Sequence, residues 1–265
     1  RKKRNYMTRL FIAILISVCC FSAAHAQIVD VEQSEKFNTD SVLRDFDNRP
    51  FFGIYKDNYF VGGTSIGTKP TSHNSDVKFQ VSISQRLTKS VLPFNTYAFL
   101  FYSQKCMWNV FEKSLPMRDF NFNPGLGFTK LLISKNRLVG KLTLMIEHES
   151  NGRDKMYDRS WNKLSFAGNI YLTPNLMIHG KYWLTYIDSK QNKDILRYNG
   201  IYQTGIQVLS PNQRWVFSAT FVKRKGWNLN GNTIVDIGWR IRKKDNQFLM
   251  LHYYNGYGEN LLDYN

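Results

Sequence analysis

The stretch from Leu142 to Asn162 holds the residues best able to do chemistry. Leu142, Leu144, Ile146, His148 and Ser150 alternate with Thr143, Met145, Glu147 and Glu149. Residues two apart on a strand share a face, so His148 and Ser150 are predicted to extend an apolar row at its end. Their Cα atoms would lie roughly 6.6 Å apart, close enough for the imidazole to reach the hydroxyl. A neutral imidazole can take the serine proton as the oxygen attacks an ester carbonyl. It then needs a third group to fix its tautomer. Asn162 can be that group, because it starts the next alternating run beyond the segment 151–159 and shares a face with Leu164, Phe166, Ile170 and Leu172. An amide in place of a carboxylate avoids holding a charge where solvation is poor. Polar residues at strand ends are also common at a membrane interface, so the spacing alone leaves a purely structural role open.

The elements that must position these residues are strands. The dominant period is two from about residue 51 onward. It is clear at 77–83 (Val77, Phe79, Val81, Ile83), 164–172, 215–221 and 235–241, and further runs fall near 52–62, 95–108, 120–134, 137–150, 175–187, 199–210 and 247–257. Short turn signals such as Thr173-Pro174-Asn175 and Ser210-Pro211-Asn212-Gln213 alternate with longer, charged connections at 151–159, 188–198 and 223–230. Short turns at one end and long loops at the other are the pattern of an outer-membrane β-barrel. A soluble β-sandwich or lipocalin-like barrel shares the alternation and remains the alternative at this level. The eleven runs leave an odd number, whereas such barrels have an even number of strands. Parity therefore predicts twelve strands, with a closing one beyond residue 265.

Composition sets the compartment. Arg1, Lys2, Lys3, Arg4 and Arg9, the apolar run Leu10–Phe21 and Ala24-His25-Ala26 read as a secretory signal over residues 1–26. That signal takes five of the 36 basic residues and none of the 20 acidic ones, so the mature chain carries +11. Such a balance suits nucleic acid or an anionic lipid surface, and export favours lipid. The run Lys223-Arg224-Lys225 is accordingly expected to be a solvated loop meeting headgroups, not a nucleic-acid site. Cys106 alone of the three cysteines lies outside the signal, which excludes a disulfide framework. Residues 27–50 read as a polar N-terminal arm and 51–265 as the barrel. Glu147 is expected to face the lumen and pair with basic residues there, and His179 and His252 to be structural. The bulk of the lumen positions predicts a filled interior.

The run His148-Glu149-Ser150-Asn151-Gly152-Arg153, followed by Arg159-Ser160-Trp161-Asn162, resembles the active-site signature of the outer-membrane phospholipase A family. Asn48-Arg49-Pro50-Phe51, Val77-Lys78-Phe79-Gln80, Tyr102-Ser103-Gln104-Lys105, Pro116-Met117-Arg118 and Tyr254-Asn255-Gly256-Tyr257-Gly258-Glu259 resemble further segments of it. The resemblance spans about residues 45 to 265. It implies a twelve-stranded transmembrane barrel in the bacterial outer membrane that hydrolyses sn-1 and sn-2 acyl esters of phospholipids, and lysophospholipids. It implies Ser150 as nucleophile, His148 as base, Asn162 as orienting residue and the Gly152 amide as an oxyanion donor. It also implies a homodimer binding calcium through the carbonyl of Arg153, the side chain of Asp158 and the carbonyl of Ser114 from the partner, with Gln104 bonding across the dimer. The family pattern has serine where this sequence has Asp158; a carboxylate suits calcium better, which implies affinity at least as high. The loop around 109–114 is about two residues short of the pattern.

Overall fold

The computed structural model describes residues 11–14, 39–187, 192–243 and 245–263. The expected export signal and the first part of the arm lie outside these, apart from residues 11–14. The elements are strand β1 (Phe11–Ile14), helix α1 (Thr39–Asn48), strands β2 (Phe52–Gly53), β3 (Tyr59–Ser65), β4 (Ser75–Arg86), β5 (Thr96–Trp108), β6 (Met117–Ser134), β7 (Arg137–Ser150), β8 (Ser160–Thr173) and β9 (Leu176–Tyr186), helix α2 (Ile195–Asn199), and strands β10 (Tyr202–Leu209), β11 (Trp215–Lys223), β12 (Gly231–Arg240) and β13 (Phe248–Asn255).

Each strand from β5 to β13 pairs antiparallel with the next, and β4 pairs with both β3 and β5. This is the barrel topology that the alternation predicts. The run expected at 52–62 is broken. β2 pairs with the end of β4, and residues 54–58 then dip inward before β3 begins. There the Lys56 amide donates to Ser82 Oγ at 3.0 Å, Lys56 Nζ to Asn123 Oδ1 at 3.3 Å, and Tyr55 Oη to Met145 Sδ at 3.4 Å. The place between β3 and β13 holds β1, paired Phe11↔Ser65 and Phe11↔Tyr254. The twelfth strand was expected after residue 265, whereas these four residues come from the apolar run assigned to the signal. Two facing strand edges leave backbone donors and acceptors open, and an apolar run with β-compatible residues satisfies part of them.

Alternation sorts the side chains cleanly. Leu142, Leu144, Ile146, Leu164, Phe166, Ile170, Leu172, Leu184, Ile206 and Phe217 are exposed on the outer wall, while Met145, Glu147, Trp161, Lys163 and Ser165 point inward and are buried. Lipid, not protein, is the natural solvent for such a wall. Gly127 faces inward where a Cβ would sit 2.7 Å from both Leu144 O and Met145 Cβ, so β6 and β7 approach closely only with glycine there.

The interior is filled, as expected. At the short-turn end α1 acts as a plug. Leu43 and Phe46, three residues apart on one helix face, pack against Tyr97 and Leu131. Arg86 closes the helix C-terminus: its guanidinium donates to Phe46 O, to Asp47 O at 2.8 Å and to Arg49 O at 2.9 Å. At the long-loop end Trp161, Trp183, Ile195, Val222 and Leu261 form a second apolar cluster. Between the two lies a charged middle: Lys78–Glu259 at 2.7 Å, Lys163–Glu149 at 2.6 Å, Lys181–Glu147 at 2.6 Å and His252–Asp236 at 2.6 Å. His252 is structural in this network, and His179 Nε2 contacts Thr220 Oγ1 at 3.4 Å. Lys223 departs from the solvated loop expected of it. Its ammonium is drawn in to Gly226 O and Asn230 Oδ1, each at 2.9 Å, because the turning loop offers acceptors that replace water around the buried cation.

Candidate active site

β7 and β8 pair so that His148 stands opposite Asn162 and Ser150 opposite Ser160. This register carries the outward parity of the apolar wall to its last turn at the long-loop end. His148 and Asn162 are both exposed, and His148 Nδ1 lies 2.9 Å from Asn162 Oδ1. An amide oxygen can only accept, so Nδ1 carries a proton, and in the neutral imidazole the lone pair is then on Nε2. Ser150, half-buried, follows on the same face, and its Oγ makes no hydrogen bond with the described residues. The hydroxyl is thus free to rotate toward the imidazole.

The inner side of the same strands is clamped. Glu147 is 3% exposed, and its carboxylate takes hydrogen bonds from Ser165 Oγ and from Asn123 Nδ2 at 3.1 Å besides the Lys181 ion pair. Asn123 Nδ2 also donates to the carbonyl of His148 itself at 2.9 Å. One face of β7 therefore carries the candidate chemistry while the other is anchored to the charged lumen. Lys163 stacks over Trp161, with Nζ 4.2 Å from a ring centroid, and so ties β8 to the upper cluster.

The loop after Ser150 is organised by Asn151, a residue whose part the sequence reasoning did not assign. Asn151 is 3% exposed. Its Oδ1 accepts from the amides of Arg153 (3.3 Å) and Arg159 (3.0 Å), its Nδ2 donates to Tyr157 O (2.9 Å), and its own amide donates to Arg159 O (2.9 Å). Asparagine next to glycine at a strand end is the available signal, since its side chain mimics backbone in turns. Gly152 then takes φ +66°, and a Cβ there would meet Phe122 Cε2 at 3.0 Å. Its amide donates to none of the described residues and lies one residue past Ser150's neighbour, free for an incoming oxygen.

The expected calcium ligands fall into two groups. Arg153 and Asp158 lie on this Asn151-stapled loop. The Arg153 guanidinium turns inward to Arg118 O and sits 4.0 Å from Asp119 Oδ1. Its carbonyl accepts nothing from the described residues, and the Asp158 carboxylate has no hydrogen bond or ion pair among them. An uncommitted carboxylate and an uncommitted carbonyl on one tethered loop are the hard oxygen donors that calcium takes. Among the described residues no group of three or more His, Cys, Asp or Glu side chains is placed to hold a metal. Ser114 lies in the separate loop 109–116 at the same end of the barrel, exposed, with φ +69°. Gln104 projects from β5 onto the outer wall, in register with Phe122, which is in turn in register with Ser150. Its Oε1 accepts from Tyr102 Oη at 2.9 Å and its Nε2 contacts Cys106 Sγ at 3.5 Å. A polar ladder thus crosses an otherwise apolar surface one strand away from β6 and two from the candidate site.

Solved and curated proteins share this architecture. The chain superposes on the dimeric, calcium-bound outer membrane phospholipase of Salmonella typhi with a TM-score of 0.70 at 25% identity, covering 86% of this chain and 93% of that one. It superposes equally, at 0.70 and 26% identity, on outer membrane phospholipase A from Escherichia coli and on an active-site mutant of that protein in which an asparagine is changed to alanine. Those matches cover 80% and 85% of this chain and 92% and 91% of the other chains. In sequence it is similar to the Phospholipase A1 of Klebsiella pneumoniae, 26% identical over 97% of this chain and 94% of that protein. The family model described as Phospholipase A1 matches residues 44–265. A match over so much of the chain, on a barrel of the same topology, makes this protein a member of the phospholipase A1 family.

Proposed function

We propose that the protein is a calcium-dependent outer-membrane phospholipase, active as a homodimer, that hydrolyses the sn-1 and sn-2 acyl esters of phospholipids and of lysophospholipids with Ser150, His148 and Asn162. The observation that carries this is the 2.9 Å contact between His148 Nδ1 and Asn162 Oδ1 on an apolar outer wall, with Ser150 on the same face. Solvent-facing proteins gain nothing from such a placement. A membrane enzyme gains access to acyl chains that the bilayer delivers to its flank.

The chemistry follows from the geometry. His148 Nε2 takes the proton from Ser150 Oγ as a bond forms between Oγ and the ester carbonyl carbon. The negative charge gathers on the former carbonyl oxygen, where the free Gly152 amide donates to it. The C–O bond to the glycerol oxygen then breaks, and His148 returns the proton to that oxygen. Water repeats the sequence on the acyl-serine and releases fatty acid. Asn162 keeps the imidazole in the tautomer that both halves require. The Arg153 carbonyl, the Asp158 carboxylate and the partner's Ser114 carbonyl would hold calcium, which would supply positive charge to offset that of the oxyanion. The dimer would bring Gln104 and the flanking apolar wall of two copies together.

Fatty-acid release from phospholipid micelles, with and without a calcium chelator, tests the reading as a whole; a folded barrel that releases none in either condition would refute it. Asn162→Ala is expected to lower kcat roughly a hundredfold with little change in KM, since the residue orients the base rather than binding substrate. A loss confined to KM would contradict that role. Asp158→Ala is expected to raise the calcium concentration for half-maximal activity about tenfold, because it removes the one charged ligand. An unchanged calcium titration would remove Asp158 from the site.

A further inference from the structure

The long-loop rim between β11 and β12 carries a second feature that the proposed chemistry does not use. The loop 224–230 is rigidly held from below. Lys223 Nζ donates to the Arg224 and Gly226 carbonyls and to Asn230 Oδ1, and Arg224 stacks over Tyr257 with Cζ 4.7 Å from the ring centroid. The loop also docks on α2, because the Lys225 amide donates to Leu196 O at 3.0 Å. The result is an open cleft of about 240 Å³ lined by Lys193, Asp194, Arg197, Lys225 and Gly226. Its three cations are exposed, face a single acid and form no ion pair with the described residues. Beside them Trp227 and Leu229 are 104% and 93% exposed. Two bare apolar side chains on an anchored loop are costly in water, whereas tryptophan is the residue favoured at a membrane interface.

We infer that this rim binds the phosphate-bearing headgroup of an anionic lipid of the outer leaflet, with Lys193, Arg197 and Lys225 around the phosphate and Trp227 and Leu229 seated among the lipid. Charge complementarity selects the lipid. Zwitterionic headgroups offer a cation of their own to this cluster, whereas an anionic headgroup does not. The loop 224–230 follows β11 and α2 lies between β9 and β10, so neither belongs to the outer face of β7 on which Ser150 stands, and the rim can hold a lipid while that flank is engaged. It rests on the membrane placement proposed above but on no step of the hydrolysis.

The test uses the full chain with Ser150→Ala, which leaves the lipids intact, in phosphatidylcholine vesicles carrying a minority of dibrominated phosphatidylglycerol or the same share of dibrominated phosphatidylcholine. Trp227 emission is read as the difference between this chain and the same chain with Trp227→Phe. The expected result is stronger quenching by the anionic lipid, equivalent to at least a roughly fivefold local enrichment, the gain that a single surface cation supplies. The preference should vanish in Lys193→Gln/Arg197→Gln/Lys225→Gln and weaken in Lys225→Gln alone, a change at an exposed position that leaves the fold intact. Equal quenching by both lipids, a preference that survives the triple substitution, or quenching by neither would overturn the inference. None of these outcomes bears on Ser150, whose role is read by fatty-acid release.

Discussion

Ser150→Ala is expected to lower phospholipid hydrolysis by roughly four or more orders of magnitude while the barrel folds unchanged. The size follows from the role. Without Oγ there is no acyl intermediate, and His148 and Asn162 can only activate water from a position set for serine. The fold is indifferent to the change because Oγ makes no hydrogen bond with the described residues, and Ser150 holds its place through the backbone pairing of β7 with Phe122 and Ser160. Fatty-acid release and barrel mobility on a gel, measured on the same preparation, check both halves. Hydrolysis within tenfold of the unaltered chain would refute the assignment.

Glu147→Gln is expected to have the largest effect on stability, about 3–5 kcal/mol, the usual cost of removing one partner from a buried ion pair. The carboxylate faces Lys181 at 2.6 Å, and Lys163 and Lys56 also surround it. Lys56 shares this interior, its ammonium 3.3 Å from Asn123 Oδ1. The amide of glutamine still reaches Ser165 but leaves these cations without their counter-charge. Denaturant unfolding of the barrel in micelles measures the loss, and an unchanged midpoint would show that the lumen solvates its charges independently. Lys181→Met added to Glu147→Leu is expected to recover part of it, since the directly paired cation goes with the carboxylate while Lys56 and the Ser165 hydroxyl still lose theirs. Activity should fall with stability, because Asn123 bridges Glu147 to the carbonyl of His148.

Most of this architecture was legible because a barrel wall is a simple code. Leu142 to Ser150 alternate without a break, so both the boundaries of β7 and the outward parity of His148 could be read before any contact was known. The Asn162 partner was legible for the same reason: its parity with Leu164 and Phe166 put it on the same side. Three features were not. Residues 52–62 read as one strand, yet it splits, because Tyr55 and Lys56 leave the wall for partners on β4, β6 and β7 that no local pattern names. Lys223 looks like part of a solvated basic run and is instead a buried strut, since the carbonyls it satisfies belong to a loop whose course is set by α2. Asn151 was visible as a letter of a motif, but its four hydrogen bonds depend on the return of the chain at Arg159, which spacing does not encode.

Ser150, on the outer wall, is the proposed nucleophile. The most direct test is covalent: incubate the refolded protein in micelles with a long-chain alkyl fluorophosphonate and calcium, then locate the adduct by peptide mass spectrometry. Stoichiometric labelling of Ser150 is expected, lost in His148→Ala, with hydrolysis falling in step with labelling. An adduct on another residue, or complete labelling of Ser150 with hydrolysis undiminished, would contradict it.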